Sequence, residues 1–240
     1  MGTVGPIIPG LPGIRATKTA TPRRVFRQVE LMGGLSQGRT IQGSQSRDPG
    51  NTGDIDRLRA GLLMGKITAA TFGTVDLWAP SIIGVTTGAY TSGGTSLTVS
   101  AAQALEIERI VGGSGTAELV AIGPPTAAGT VAVTDVDHSA INTTTGVLTV
   151  TSLGVDKIAG TFIAVKDGRQ IPRSFIPDGW PIPVTDSDGS TSLNVQYPDV
   201  PIAGVIDSSQ IINWPSDTSL QTWIVDKLNT YGQYVFDHNF

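Results

Sequence analysis

The chain contains no cysteine, which excludes a disulfide framework, a thiolate metal site and a cysteine nucleophile together. Histidine is scarce: only His138 and His238 occur, so imidazole acid–base chemistry has little to draw on. Charged residues make up only 15% of the chain, well below the usual share of about a quarter. No apolar run approaches the ~20 residues of a membrane-spanning helix. The opening "MGTVGPIIPGLPGIR" lacks a basic start and is broken by prolines, so it reads poorly as a signal peptide. Pro6 also stands where a myristoylation site wants Ser or Thr. The expectation is a soluble protein made in the cytoplasm, with no membrane contact.

What is present points to sheet. The 240 residues include 30 glycines and 15 prolines, with Thr, Ser, Ala, Val and Ile in excess. β-branched residues pack well on a pleated surface, and glycine supplies turns. This composition predicts a mainly β protein, long enough to bury a sizeable core.

Charge is unevenly placed. Residues 1–59 hold nine Lys/Arg and four acids, whereas the remainder holds seven Lys/Arg and sixteen acids. A basic arm on an acidic body predicts that the arm docks on something. Phe26 is the arm's only aromatic, so an acidic protein surface suits it better than nucleic acid.

Residues 1–53 carry Pro6, Pro9, Pro12, Pro22 and Pro49, and read as an extended arm poorly able to fold alone. One piece differs. In "RVFRQVELM", Val25, Arg27, Val29 and Leu31 alternate with Phe26, Gln28, Glu30 and Met32, which is strand spacing. Such a strand either adds to the sheet edge of another protein or opens the chain's own sheet. The first reading makes Arg23, Arg24, Val25, Phe26, Arg27, Val29 and Leu31 a binding element.

Beyond Asp54, "LLMGKITAATFGTVDLWAPSI" reads as a strand, a loop around Gly73, and a second strand near Leu77–Ile82. Residues 84–159 read as a separate, mostly β module. They contain a turn at Gly93-Gly94, a Ser/Thr-rich strand and a short helix in "AAQALEIERIV", with Ala104, Leu105, Glu108 and Val111 at near-helical spacing. A strand follows, stopped by Pro124-Pro125, then a hairpin of Thr130–Ala140 against Gly146–Ser152. Strand-like runs closed by Asp-Gly turns come after Gly160. At the end, Leu220, Trp223, Ile224, Leu228 and Tyr231 mark one face of an amphipathic helix, with Ser216 as N-cap and Gly232 as stop.

Catalytic signals are weak. His138 lies in "TDVDHS" with Asp135 and Asp137, but strand alternation puts the two acids on one face and the histidine on the other. The polar tip of a hairpin accounts for it. "TDSDGS" places Asp186 and Asp188 before Gly189, a β-turn rather than a calcium loop, because the third acid and the bidentate Glu are missing. "GGSGT" is not followed by Gly-Lys-Ser/Thr, so no phosphate loop forms. The expectation is a protein without enzymatic activity, cofactor or metal.

The segment "RLRAGLLMGKITAATFGTVDLWAPS" resembles the head decoration proteins of tailed bacteriophages, the group related to the small trimeric protein of lambdoid heads. The residues carrying the likeness are Ala60, Gly61, Gly65, Lys66 and Pro80. Downstream, "AVKDGRQIPRSFI" with Asp167-Gly168 and "PIAGVIDSSQIINWP" with Trp214-Pro215 resemble two further family segments. Ser174-Phe175 depart from the Gly-Ile often found there.

The resemblance implies a compact β-tulip or β-barrel-like body formed by 54–83 and 160–215, interrupted by the module at 84–159 and followed by a helix and tail at 216–240. It also implies a homotrimer on the outer surface of the virion, holding major capsid protein subunits together through the N-terminal arm. The alternatives are a head-fibre or glycan-binding module, an enzyme such as a capsular polysaccharide hydrolase, and the major capsid protein itself. The first predicts exposed aromatics on the insertion. The last would need a longer chain and a spine helix.

Overall fold

The computed structural model describes residues 25–29, 39–177, 179, 181–197 and 203–237. It is mainly β, with 33% strand against 16% helix, and its sheets curl into half-barrels. In chain order the strands begin with β1 (Phe26–Val29), β2 (Arg39–Ile41), β3 (Arg57–Leu58), β4 (Leu63–Lys66), β5 (Trp78–Pro80), β6 (Gly84–Val85) and β7 (Ser96–Thr98). Helix α1 (Ala101–Val111) precedes β8 (Gly115–Gly123), β9 (Ala132–Asn142), β10 (Val147–Val150) and β11 (Phe162–Val165). Then come β12 (Ser174–Phe175), β13 (Ile182–Pro183), β14 (Val195–Tyr197), β15 (Ala203–Asp207), α2 (Thr218–Asn229) and β16 (Gln233–Asp237).

A six-stranded sheet in the order β6-β11-β8-β9-β10-β7 stands at the centre. Its two faces serve two cores, because successive side chains of a strand point to opposite sides. Val120, Ile122, Phe162 and Ala164 join one core, with β4, β12 and α2. Their neighbours Leu119, Ala121, Ile163 and Val165 join the other, with α1, Leu97 and Leu148. The near-continuous apolar runs in β8 and β11 are therefore the signature of strands buried on both faces.

β11, which lies beyond the expected module end at residue 159, pairs with β8 from Phe162↔Ile122 to Val165↔Leu119. It also pairs with β6. The segment 84–159 is thus completed by a strand from beyond residue 160, since two-sided burial of β8 needs a neighbour that is apolar on both faces.

The expected helices form, with shifted details. Ser100 caps α1 in a capping box with Gln103. Ala104, Ile107, Ile110 and Val111 are its buried apolar residues, whereas Leu105 is 51% exposed, so the expected face containing Leu105 is corrected. The N-cap of α2 is Asp217 rather than Ser216, its carboxylate accepting from Ser219 and Leu220 N–H. Asp217 also accepts from Ala128 N–H at 2.9 Å, a tertiary contact that favours it over the serine. The helix ends at Asn229, before Gly232. Leu220, Ile224 and Leu228 are buried and Trp223 packs against the same core. Tyr231 lies beyond the helix and is 45% exposed.

The remaining strands form a five-stranded sheet, β12-β4-β5-β2-β14, a two-stranded pair, β13-β3, and a three-stranded sheet, β1-β15-β16. Residues 39–53, counted with the arm, are integrated into the body. β2 pairs with β14 and β5. Asp48 is buried and binds Arg59 Nε at 2.6 Å.

Candidate functional site

The motif residues meet at one junction, and glycine makes the approach possible. A Cβ on Gly65 would stand 1.9 Å from Arg169 O, and one on Gly168, at φ +102°, would stand 2.0 Å from Thr68 Oγ1. The main chain closes the contact: Thr68 and Ala69 N–H both donate to Asp167 O, at 2.8 and 3.0 Å. Segments 65–68 and 167–169, about a hundred residues apart in sequence, are one unit in space.

Beneath it lies a fully buried ion pair. Arg169 Nη2 donates to Asp167 Oδ2 at 2.6 Å and Arg169 Nε to Oδ1 at 2.9 Å. A further N–H of Arg169 reaches Gln45 Oε1 at 3.1 Å. Taking two charges out of water is costly, and only this bidentate geometry with an extra acceptor offsets it.

The second and third motifs join in the same way. Gly61, at φ +86°, lies against Gln210 O, donates to Ile176 O at 2.8 Å and accepts from Ile212 N–H at 2.9 Å. Ala60 is buried, as are Pro80 and Pro215. Trp214 stacks on Phe236 at 5.3 Å between ring centroids. Lys66 pairs with Asp76 at 2.7 Å. These residues hold strands together, and none presents a reactive group to a cleft.

The strand in the arm has a partner in its own chain. β1 runs antiparallel to β15, with Phe26 opposite Ile206 and Val29 opposite Gly204. Val25 is buried in the core shared with α2. Of the two readings, the strand therefore opens the chain's own sheet; its backbone groups are met by β15. Among the described residues it is an edge strand there, since the order is β1-β15-β16. Arg23, Arg24 and Leu31 lie outside the described residues.

The candidate chemical groups do not converge. Among the described residues no cluster of three or more His, Asp or Glu could hold a metal. His138 is 4% exposed and lies within β9, opposite Val150 and Gly115, not at a hairpin tip. That corrects the expected placement: the tip is at Asn142–Gly146, where Asn142 Oδ1 accepts from Thr144 and Thr145 N–H. Asp186 and Asp188 do form a turn, both accepting from Ser190 N–H. A hydrogen bond with the Asp188 side chain, then backbone N–H groups of Thr191 and Ser190, holds the Asp186 carboxyl well below the usual range. Tyr90, the single Phe, Trp or Tyr within residues 84–159, is buried, its hydroxyl accepting from Leu153 N–H at 2.9 Å.

Three basic residues escaped the sequence reading. Lys157 is 1% exposed and donates to Gly123 O and Ala132 O at 2.8 and 2.9 Å. Burial pushes its amine down to about 8. Arg39 and Arg173 lie over aromatic rings: Arg39 over Trp78 at 4.9 Å and Arg173 over Tyr231 at 5.2 Å. No local pattern announces them, because each ring comes from another part of the chain.

No protein-family model, curated protein or solved structure matches this chain.

Proposed function

We propose that this protein is a non-enzymatic structural component of a virion, which decorates the mature expanded capsid and stabilises it by bridging major capsid protein subunits. It acts as a homotrimer on the outer surface. The observation that carries this reading is the junction of Gly65–Thr68 with Asp167–Arg169, joined through Gly61 to Gln210–Ile212. The segments that resemble decoration proteins are in contact with one another, which supports the reading.

Capsid contact runs through the basic N-terminal segment and the outer edge of β1. An edge strand offers main-chain donors and acceptors to an incoming strand. Arg23, Arg24 and Arg27 add charge complementary to an acidic surface. A ligand that binds only the expanded shell stabilises that state by mass action, by about 2.7 kcal/mol at a hundred times its Kd.

The test is co-sedimentation of the full chain with expanded capsids lacking it, beside an R23Q/R24Q/R27Q variant. Saturable pelleting of the full chain, weakened in the variant, is the expected result. Failure of the full chain to pellet overturns the decoration reading.

A further inference from the structure

The sheet edges of this protein are not alike. Among the described residues, β6 and β12 are two residues long, β7 and β14 are three, and each ends a sheet. β1 has four residues and a register shift between Phe26 and Gln28. β16 differs from all of them. Its five residues, Gln233–Asp237, run parallel to β15 without interruption, from Ala203↔Gln233 to Asp207↔Asp237. It ends the order β1-β15-β16, so among the described residues only one of its two backbone edges is paired.

Edge strands are ordinarily kept from pairing by shortness, a bulge, a proline or a charge such as lysine. The stretch "QYVFD" has no proline, lysine, arginine or glycine, and its one charge, Asp237, stands at the end. Its side chains alternate between two faces. Phe236 turns to the body and stacks on Trp214. Val235 turns away and is 65% exposed, the highest value among the exposed large apolar residues. A β-branched residue standing in water on an unprotected edge is what an added strand would bury.

We propose that β16 pairs with β16 of a second copy of this chain, antiparallel about a two-fold axis at Val235. The sequence is self-complementary in that register. Val235 falls opposite its own copy, Tyr234 opposite the partner's Phe236, and Gln233 opposite the partner's Asp237. Such β-branched and aromatic cross-strand pairs are favourable, and no like charges meet. A parallel pairing in register would set aspartate 237 against itself, so charge decides the direction. An isologous contact of this kind closes after two copies. A single strand pair is a small interface, so association depends on concentration. The joined sheet runs β1-β15-β16-β16-β15-β1 and leaves both β1 edges outward, where the decoration reading puts capsid contact. The pairing itself does not rest on that reading.

The chain has no cysteine, so V235C introduces a unique thiol at the two-fold position. V133C is the control, in β9, where Val133 is 53% exposed. Under mild oxidation the full-length V235C chain is expected to form a disulfide-linked pair of chains, and the V133C chain to stay unlinked. Sedimentation velocity of the unmodified chain should show, with rising concentration, an assembly of twice the mass formed by V235K. In that variant two like charges meet at the axis and weaken association at least about fivefold. Val235 is exposed, so the lysine leaves the fold intact, which unchanged circular dichroism and thermal unfolding check. Cross-linking of V235C no faster than that of V133C overturns the proposal, and so does an assembly whose mass V235K leaves unchanged. Because no capsid is present, a negative result here leaves the co-sedimentation outcome independent.

Discussion

The sheet backed by α1 and the glycine junction are built on opposite plans. In the first, β8, β9, β10 and α1 are consecutive in sequence and neighbours in space. Its order is local: a capping box starts the helix, an Asx turn closes the hairpin, and alternation sorts side chains between two cores. In the second, strands of two to four residues from distant parts of the chain are held by close backbone approach and a buried ion pair. Local order survives the loss of one contact. A junction made of unique long-range contacts does not, so the two regions should respond differently to substitution.

The largest difference is expected at the ion pair. Asp167→Asn or Arg169→Met should each cost about 3–5 kcal/mol in urea unfolding, because the remaining charge is left buried. The combination Asp167→Leu with Arg169→Met should cost less than either single change. If the singles cost no more than an exposed pair such as Lys166–Asp135, the junction is not held as described.

Gly65→Ala comes next, at about 2–3 kcal/mol, since the new methyl meets backbone. Gly154→Ala is its counterpart in the segment that follows β10. There φ is +70° with open space around, so only backbone strain of about 1 kcal/mol is expected. Equal costs would erase the distinction between a crowded and a merely left-handed glycine. Ser100→Ala should cost about 1 kcal/mol through loss of the α1 cap, with hydrogen exchange faster in α1 and unchanged around Gly65.

The smallest effect concerns pH. Burial holds Lys157 at about 8 when folded, against 10.5 ordinarily. Between those values the unfolded chain binds more protons, so this group makes stability rise with pH and lowers it below about 8. Across the single pH unit centred on 8 the gain is less than about 1 kcal/mol. The difference between the wild-type and Lys157→Met slopes of stability against pH measures it.

Legibility followed the same division. The helix at 101–111, the hairpin and the strand stopped before Pro124 could be read directly, since capping, turn chemistry and period act over a few residues. His138 was misplaced because alternation says which side of a strand a residue takes, not whether that side is covered. The strand at Phe26–Val29 was legible as a strand, while its partner was not. Arg39 and Arg173 gave no signal, as nothing near them in sequence contains Trp78 or Tyr231.

By itself, then, the sequence determined the β-rich class, the turns, both helices and the poverty in catalytic side chains, all of which depend on local stereochemistry and composition. Tertiary structure alone decided that β11 completes the six-stranded sheet, that Gly65 faces Arg169, and that β1 pairs with β15. Those outcomes depend on which distant segments share a contact, and the free energy of such a contact belongs to both partners at once.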